Sequence, residues 1–192
     1  MKEYKKDLRY KKTHEAIQLH FRELLKTTPY EKISVTSLAK NAGINRKTFY
    51  LHYGTLDDLL QELGREIVSK GTSRVENFTL PQDLRKLIFT IYAYWESLSQ
   101  EDTKIFRLNL SSANVSGFTQ HMRDTFTNFD ANFQGGDPKM QKVALAFIVY
   151  SMGVFYREWT LYHTVSTLEE TVDLAYTFIT NGIGASNKAS DL

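Results

Sequence analysis

Apolar residues recur at intervals of three and four along most of the chain, which is the spacing of helices with one side facing a core. The first predicted helix runs from Thr13 to Lys26 and carries Ile17 and Phe21 at this spacing. Proline, glycine and N-capping residues divide the chain into about nine helices, and neither convincing strand pairs nor an internal repeat is present. The pattern therefore predicts an all-α fold.

Two very short helices are predicted after the first one. Ser34 is a suitable N-cap for a helix that turns Leu38 and Ala39 inward, Gly43 turns the chain, and Asn45 can cap a helix from Arg46 to about His52. Helices of about two turns are not stable alone, so packing must hold them. A short helix, a glycine turn and a second short helix form a helix-turn-helix, whose second helix can enter a DNA major groove about 12 Å wide.

The fourth predicted helix begins with Thr55 and Asp58 at capping spacing and runs towards Lys70. Gly64 inside it costs about 1 kcal/mol relative to alanine. We therefore expect a soft point there, between a basic first part and an acidic remainder.

The remaining sequence predicts a larger helical body. One helix places Pro81 in its first turn, and another carries phenylalanines up to Phe133 at helical spacing within residues 116–133. A long helix from Pro138 to Tyr162 follows, and Ser166 with Glu169 forms a capping box for a last helix.

The predicted helix from Pro138 to Tyr162 is apolar around most of its circumference between Val143 and Tyr156. Such a helix needs burial on all sides, which either a dimer interface or the central core of a monomer would supply. The dimer is the preferred interpretation, with these candidate interface residues on the last two helices: Ala144, Phe147, Ser151, Val172 and Tyr176.

Charge is distributed unevenly along the chain. Residues 1–53 hold 12 lysines and arginines against 5 acidic residues, a net +7, whereas the remaining residues carry a net −5. A polyanion is the obvious partner for the basic part, although a solvated charged face would have the same composition. The charged N-terminal segment and the lack of a long apolar run lead us to expect a cytosolic protein.

The sequence offers little for catalysis or metal binding. The chain of 192 residues has no cysteine, which excludes disulfides and cysteine-based zinc sites. Its five histidines form no His-Glu-x-x-His pattern, and there is neither a Gly-x-Ser-x-Gly turn nor a phosphate-binding glycine loop. We therefore predict a protein that is not an enzyme and has no cofactor and no metal.

Residues 10–56 resemble the DNA-binding head of TetR-type bacterial transcriptional repressors. The similarity rests on "ISVTSLAKNAGINRKTFYLHY", above all on the Ala-Gly-Ile turn followed by Thr48, Phe49, Tyr50 and Tyr53. The resemblance implies a homodimer built on the last two helices, a roughly palindromic DNA operator and, in most members, a small-molecule effector that releases the DNA. It implies a head over residues 1–56, a body over 57–184 and a flexible tail over 185–192.

The resemblance also assigns the candidate DNA-binding residues. Base-reading or groove-facing positions fall within Arg46–Thr48, and phosphate-contacting positions at Tyr50 and His52. The full set follows the matching motif: Thr36, Asn45, Arg46, Lys47, Thr48, Tyr50, His52 and Thr55.

One position departs from the family pattern, because Leu56 stands where many members have a phosphate-binding lysine. The basic segment Lys5–Lys12 either replaces that contact or is a disordered segment that aids solubility. Leu56 also keeps open a second function, that of a co-activator or adaptor that acts through another DNA-bound protein.

The body is rich in aromatic residues, which make up 13% of the chain. Each one alone is more often a core residue, but helical proteins place ligand sites between helices. The candidate effector pocket comprises Trp95, Phe106, Phe126 and Phe155.

Overall fold

A computed structural model describes residues 2–75, 78–110, 132–133, 137–161 and 167–181. The described residues form eight α-helices, a 3-10 turn and one pair of very short strands, so the predicted all-α fold is confirmed. In chain order the elements are α1 (Lys2–Thr27), the 3-10 turn (Tyr30–Lys32), α2 (Val35–Asn41), α3 (Arg46–Tyr50), α4 (Leu56–Thr72), β1 (Thr79–Leu80), α5 (Leu84–Glu96), α6 (Gln100–Leu110), β2 (Asn132–Phe133), α7 (Pro138–Leu161) and α8 (Leu168–Asn181). None of the described helices is both long enough and apolar enough to cross a membrane.

The chain divides into two compact units. The first unit comprises residues 1–64 and 99–109, and the second comprises 65–98 and 110–192. The division falls within α4, just after Gly64, and α6 belongs almost entirely to the first unit. The boundaries expected from the sequence, after residues 56 and 184, stay predictions.

The core of the first unit forms where the apolar faces of its helices meet. Ile17 and Phe21 of α1, Leu38 of α2 and Phe49 of α3 are all fully buried. The helical spacing of these residues was visible in the sequence, and the contacts between α1 and α2 and between α2 and α3 bring them together. This packing is what holds two helices that are too short to be stable alone.

Ion pairs attach α6 to the C-terminal part of α1. Arg22 Nε donates to Asp102 Oδ1 at 3.0 Å, and Lys26 Nζ lies 3.3 Å from Glu101 Oε1. Lys104 Nζ donates to the Leu25 carbonyl oxygen at 2.7 Å, which satisfies a carbonyl in the last turn of α1. The acidic first turn of α6 thus compensates the cations at this end of α1.

Gly64 makes room for a buried polar side chain. Asn109 is fully buried, and its Nδ2 donates to the carbonyl oxygens of Leu60 at 3.0 Å and Ile105 at 2.9 Å. A Cβ atom on Gly64 would lie only 2.5 Å from Asn109 Nδ2. The sequence suggested a soft point at Gly64, whereas in the structure this glycine permits a close approach between side chain and helix.

The second unit is built from α5, α7 and α8, with α8 packed against both of the others. Tyr92 is buried and its hydroxyl donates to the Met152 carbonyl oxygen at 3.0 Å, which joins α5 to α7. Its ring lies 5.3 Å from that of Trp95 and 5.1 Å from that of Tyr156. Aromatic packing therefore joins α5 to α7 within a core whose other buried side chains are mainly aliphatic.

The prediction that the chain has no strand pairs was wrong. β1 and β2 pair in parallel, with Thr79 opposite Asn132 and Leu80 opposite Phe133. Phe133 therefore belongs to a strand and not to the end of a helix, and the rest of the helix predicted over residues 116–133 lies outside the described residues. A strand of two residues shows no alternation, so no sequence pattern could reveal it.

Two helix starts also differ from the prediction. Helix α5 begins at Leu84, so Pro81 precedes the helix, and the Asp83 carboxylate accepts a hydrogen bond from the Thr79 amide at 2.8 Å. The capping box of α8 is formed by Thr167 and Glu170, because the Thr167 amide donates to Glu170 Oε2 at 2.7 Å and the Glu170 amide donates to Thr167 Oγ1 at 3.2 Å. The predicted partner Ser166 lies outside the described residues.

Candidate nucleic-acid interface

Local hydrogen bonds define the two short helices. The Ser37 amide donates to Ser34 Oγ at 3.1 Å and the Ser34 amide donates to Ser37 Oγ at 3.0 Å, so Ser34 is the N-cap of α2 as predicted. Gly43 has φ of +64°, a left-handed conformation that favours glycine, and it ends the turn after α2. Asn45 Oδ1 accepts from the Thr48 amide at 2.8 Å, which confirms the predicted cap of α3.

Helix α3 is anchored by one face and exposes the other. Phe49 is buried beneath the helix, whereas Arg46, Lys47 and Tyr50 are exposed. Arg46 Nη2 lies 3.5 Å from the Tyr50 hydroxyl, so these two side chains run along the same face one turn apart. Three of the predicted DNA-binding residues are thus brought together on one solvent-facing surface.

The other predicted DNA-binding residues lie around this surface. Thr36 is exposed on α2, and Thr48 is half-buried with its hydroxyl donating to Asn45 Oδ1 at 3.1 Å. Thr55 is exposed and forms the predicted cap of α4, since its amide donates to Asp58 Oδ2 at 2.8 Å and its Oγ1 accepts from the Asp58 amide at 3.0 Å. The hydroxyls of Thr48 and Thr55 therefore already have partners within the protein.

Helix α3 ends at Tyr50, two residues earlier than predicted. The His52 and Tyr53 amides both donate to the Phe49 carbonyl oxygen, at 2.9 and 3.0 Å, which closes the chain into a turn. Leu51 is 75% exposed in this turn. Leu51 was not among the predicted site residues, although its position between Tyr50 and His52 places it next to the candidate surface.

The exposed cations near α3 carry uncompensated charge. With the side chains that the structure describes, none of the lysines and arginines of residues 8–12, α2 or α3 forms an ion pair, in contrast to Arg22 and Lys26 at the other end of α1. These unpaired cations are Arg9, Lys11, Lys12, Lys40, Arg46 and Lys47. Free positive charge is therefore concentrated on the part of the first unit that contains the helix-turn-helix.

The N-terminal basic segment is helical. Helix α1 begins at Lys2, so the alternative of a disordered segment over Lys5–Lys12 is wrong. The sequence did not predict this early start, because the segment is highly charged and no capping residue marks it. Side chains of this part of α1 and of the α2–α3 turn line an open groove of about 480 Å³: Leu8, Arg9, Lys12, Thr13, Ala16, Ala42 and Ile44.

A cluster of rings and one carboxylate joins α1 to the end of the helix-turn-helix. We call it the imidazole cluster, and it consists of Tyr10, His14, His52, Tyr53 and Glu62. Glu62 Oε1 accepts from the Tyr53 hydroxyl at 2.9 Å and from Gln18 Nε2 at 2.8 Å, and it lies 2.8 Å from His14 Nε2. The rings of His14 and Tyr53 are stacked with centroids 5.2 Å apart.

His52 occupies the other side of the imidazole cluster. The Tyr10 ring stacks on the His52 ring with centroids 4.0 Å apart, and the His14 ring lies 5.6 Å away. The Nδ1 atom of His52 is buried and has no hydrogen-bond partner among the described residues. Burial lowers the pKa of His52 below its ordinary value of 6.5, and repulsion by His14 acts in the same direction, while Glu62 opposes both.

The sequence did not reveal the imidazole cluster. The five histidines form no motif in the sequence, and Tyr10 and His52 are far apart in it, so only the fold brings them together. Within the described residues, no three His, Asp or Glu side chains come close enough to hold a metal ion. A possible signal was the recurrence of aromatic and imidazole side chains at Tyr10, His14 and residues 52–53.

The predicted effector residues lie in different places. Trp95 is buried in the core ring cluster of the second unit, 4.8 Å from the Tyr156 ring. Phe155 is half-buried and stacks on Trp159 at 5.9 Å, whereas Phe106 is buried in the first unit. Phe126 lies outside the described residues. The pocket formed by these four residues stays a prediction.

An exposed apolar stripe runs along α7. Met140, Val143, Phe147 and Val154 recur at intervals of three, four and seven residues, and each is between 53% and 63% exposed. Of the predicted interface residues, Ala144 and Phe147 are exposed and Ser151 and Tyr176 are half-buried, whereas Val172 is fully buried. Val172 was predicted to lie in the dimer interface, but the inward face of α8 carries it into the core of its own unit, so we do not propose it as an interface residue.

The helix-turn-helix region is similar to that of known bacterial regulators. The sequence profile "Bacterial regulatory proteins, tetR family" matches residues 22–63. The HTH-type transcriptional regulator EthR of Mycolicibacterium smegmatis is 33% identical over 75 residues, which are 38% of this chain and 35% of EthR. The similar stretch thus spans about a third of the length of that relative.

Solved structures show the same fold over most of the chain. A TetR transcriptional regulator from Streptococcus agalactiae has a TM-score of 0.65 and 21% identity, with 91% of this chain and 97% of that chain covered. The regulator FadR from Bacillus subtilis, solved in complex with stearoyl-CoA, has a TM-score of 0.51 and 16% identity, with 88% of this chain and 98% of that chain covered. At these identities the similarity concerns the fold.

Proposed function

Because residues 22–63 match the tetR family of bacterial regulatory proteins, we propose that the chain is a member of that family and a homodimeric, sequence-specific DNA-binding transcriptional regulator. The observation that carries this proposal is the exposed face of α3. Arg46 and Lys47 lie there without ion pairs among the described residues, on the side opposite the buried anchor Phe49. Exposed cations without ion pairs do not stabilise the fold, whereas the phosphates along a DNA groove would supply anions to pair with them.

The side chains on this face match the chemistry of the DNA major groove. Arginine and lysine donate to guanine O6 and N7, and a tyrosine hydroxyl donates to phosphate oxygens. Arg46 and Lys47 are thus the proposed base-reading residues, and Tyr50 and His52 the proposed phosphate contacts. The hydroxyl of Thr48 is bound to Asn45, so only its methyl group is proposed to touch a base.

The apolar stripe of α7 supports dimerisation through α7 and α8. Four large apolar side chains exposed at helical spacing are unusual on a monomer and typical of an interface. A second copy of the same stripe would bury them across a two-fold axis. Two α3 helices about 34–36 Å apart would then read successive major grooves.

We propose further that the protein is a repressor released by a small molecule bound in the second unit. The support is the family itself and the aromatic content of this unit. FadR binds stearoyl-CoA, and this shows that a regulator of similar fold accepts an acyl-CoA. A ligand that favours a different spacing of the two heads would weaken DNA binding by shifting the conformational population.

Selection of operators from a pool of random duplex DNA tests the DNA-binding proposal. Purified wild-type protein alone should enrich a roughly palindromic sequence, and the double variant Arg46→Ala/Lys47→Ala should lose affinity for it while keeping its circular dichroism spectrum. Lys26→Ala is the matched control, because Lys26 is already paired with Glu101. Unchanged operator affinity in the double variant would remove these residues from the site.

A salt titration of the wild-type protein tests the electrostatic part. If six to ten phosphates are contacted, affinity should fall by roughly 10³–10⁵ between 50 and 200 mM salt. A flat salt response, or a failure of the purified protein to enrich any sequence, would contradict direct DNA binding. The second result would favour the adaptor function to which Leu56 points.

A further inference from the structure

Tyr10 connects the N-terminal extension of α1 to a proposed DNA-contacting residue. Its ring lies 4.0 Å from the His52 ring, with the two planes inclined by 25°. His52 follows α3 directly, in the turn closed by the hydrogen bond from its own amide to the Phe49 carbonyl oxygen. This N-terminal part of α1, which includes the basic segment Lys5–Lys12, is therefore in contact with the end of the helix-turn-helix through Tyr10.

The surroundings of His52 favour a neutral imidazole. A protonated ring carries an N–H on both nitrogens, and the buried Nδ1 of His52 has no acceptor among the described residues. Burial under Tyr10 also disfavours a charge, and His14 on α1 stands 5.6 Å away as a second imidazole.

The groups that face the His52 ring supply little compensating negative charge. From α1 these groups are Tyr10 and His14, and neither has a carboxylate. From α4, Glu62 is the nearest carboxylate of the imidazole cluster, but its Oε1 already accepts hydrogen bonds from Tyr53 and Gln18. A neutral His52 keeps its single proton on Nε2, since Nδ1 has no partner for an N–H.

We propose that Tyr10 is a positioning residue for DNA binding, whose ring holds the His52 imidazole neutral and fixed so that its Nε2–H donates to a phosphate oxygen of the operator. This inference rests on the proposed function, because it takes His52 to be a phosphate contact. It assigns the extension of α1 a role that depends on stacking and not on its positive charge.

If Tyr10 holds His52 neutral, phosphate binding by His52 should depend on pH in a way that packing of Tyr10 alone would not cause. A free imidazole gains a positive charge as the pH falls through about 6.5 and would then bind phosphate more strongly. A His52 held neutral by Tyr10 keeps the same hydrogen bond between pH 6 and pH 8. The contact should therefore be independent of pH in the wild-type protein and should become dependent on pH when Tyr10 is removed.

NMR titration of the histidine side chains tests, without DNA, whether Tyr10 holds the His52 imidazole neutral. The full chain is compared as wild type, Tyr10→Phe and Tyr10→Ala. His52 should titrate below its ordinary range in the wild type and in Tyr10→Phe, which keeps the stacked ring, and its midpoint should rise in Tyr10→Ala. The same His52 midpoint in all three would overturn the proposal.

Operator affinity between pH 6 and pH 8 tests whether the positioned His52 contacts a phosphate independently of pH. The probe is the duplex selected by the wild-type protein. Wild type and Tyr10→Phe should vary by less than about twofold. Tyr10→Ala should bind roughly threefold to tenfold more weakly at pH 8, the loss expected for one misplaced hydrogen bond, and should recover part of it at pH 6. The operator affinity of the double variant Tyr10→Ala/His52→Gln should not recover at pH 6.

The outcomes separate this inference from the proposed function. If the wild-type protein binds no duplex, direct DNA binding is contradicted while the NMR titration still reports whether Tyr10 controls His52. If the His52 midpoint rises in Tyr10→Ala but the operator affinity of that variant equals the wild-type affinity at every pH, the positioning role is overturned. Recovery at pH 6 that persists without His52 would overturn it as well.

Discussion

Asn109 and Gly64 pack so closely that changing either residue alone should lower stability. Replacing Gly64 by alanine would normally stabilise a helix by about 1 kcal/mol. Here the new Cβ would lie 2.5 Å from Asn109 Nδ2, and such overpacking costs about 1–3 kcal/mol. We therefore expect Gly64→Ala to lower the free energy of unfolding, measured by urea denaturation.

A double-mutant cycle identifies the cause of that loss. In Gly64→Ala/Asn109→Ala the clash is absent, so the combined cost should be smaller than the sum of the two single costs. Lys70→Ala, an exposed position in the same helix, is the control and should change stability little. Additive effects would show that the close approach is not what makes Gly64 necessary.

The lowered pKa of His52 gives stability a defined pH dependence. Between that lowered pKa and the unfolded-state value of about 6.5, the unfolded chain binds more protons than the folded one, so stability falls as the pH falls. The contribution is fully present above pH 6.5 and is lost below it. Urea denaturation from pH 8 to pH 5 should show this loss in the wild type and a smaller one in His52→Gln, and parallel curves would contradict it.

At the scale of single residues, the sequence predicted the features, such as helix caps, that depend only on residues nearby in the chain. Ser34, Asn45 and Thr55 cap their helices as expected, because an N-cap needs only a suitable side chain a few residues before its acceptor or donor. The stacking of Tyr10 on His52 could not be predicted, since it depends on how α1 crosses the end of the helix-turn-helix. The burial of Val172 likewise depends on which face of α8 packs inward.

At the scale of elements, α3 is only five residues long and depends on its cap. Asn45→Ala removes the acceptor of the Thr48 amide, and loss of an N-cap costs about 1 kcal/mol. Because α3 carries the proposed base-reading residues, operator affinity should fall together with stability. Urea denaturation and fluorescence anisotropy with labelled operator measure the two effects.

Two replacements of Asn45 separate the cap from the charge of the surface. Asn45→Ser restores the acceptor without charge and should recover both stability and affinity. Asn45→Asp restores the cap but places a carboxylate beside Arg46, so stability should recover while DNA affinity does not. Full affinity in Asn45→Asp would argue that this end of α3 lies away from the phosphates.

Element boundaries were harder to predict where the sequence holds two equivalent signals. The segment "STLEE" contains both Ser166–Glu169 and Thr167–Glu170 at capping spacing, and the structure uses the second pair. The early start of α1 has no cap in the sequence at all. Helix existence therefore followed from periodicity, whereas the exact ends depended on competition between neighbouring residues.

At the scale of the whole molecule, the apolar stripe of α7 predicts an assembly. Phe147→Glu places a charge in the middle of the proposed interface, so the homodimer should dissociate. Leu51→Glu is the control, because it makes the same kind of change at an exposed apolar residue of the first unit. Sedimentation velocity should give a monomer for Phe147→Glu and a dimer for Leu51→Glu and the wild type. A dimeric Phe147→Glu would place the interface elsewhere.

The sequence predicted the fold class of the whole molecule but could not show which elements pack together. The all-α prediction is confirmed because periodicity alone determines it. The return of α6 to the first unit was not foreseen, since it depends on contacts such as Arg22–Asp102 between residues 80 positions apart. Long-range pairs of this kind leave no local pattern.

The ion pairs between α6 and α1 also have a consequence for the proposed binding of DNA. Helix α1 is about 39 Å long at 1.5 Å per residue, several times the screening distance of about 8 Å in physiological salt. Among the side chains that the structure describes, Asp102 and Glu101 compensate cations at the C-terminal end of α1, which leaves the described part of this helix with an uneven distribution of charge along its length. If the protein binds DNA as proposed, we expect this asymmetry to orient the first unit with its helix-turn-helix towards the DNA before contact, and association to be faster at low ionic strength.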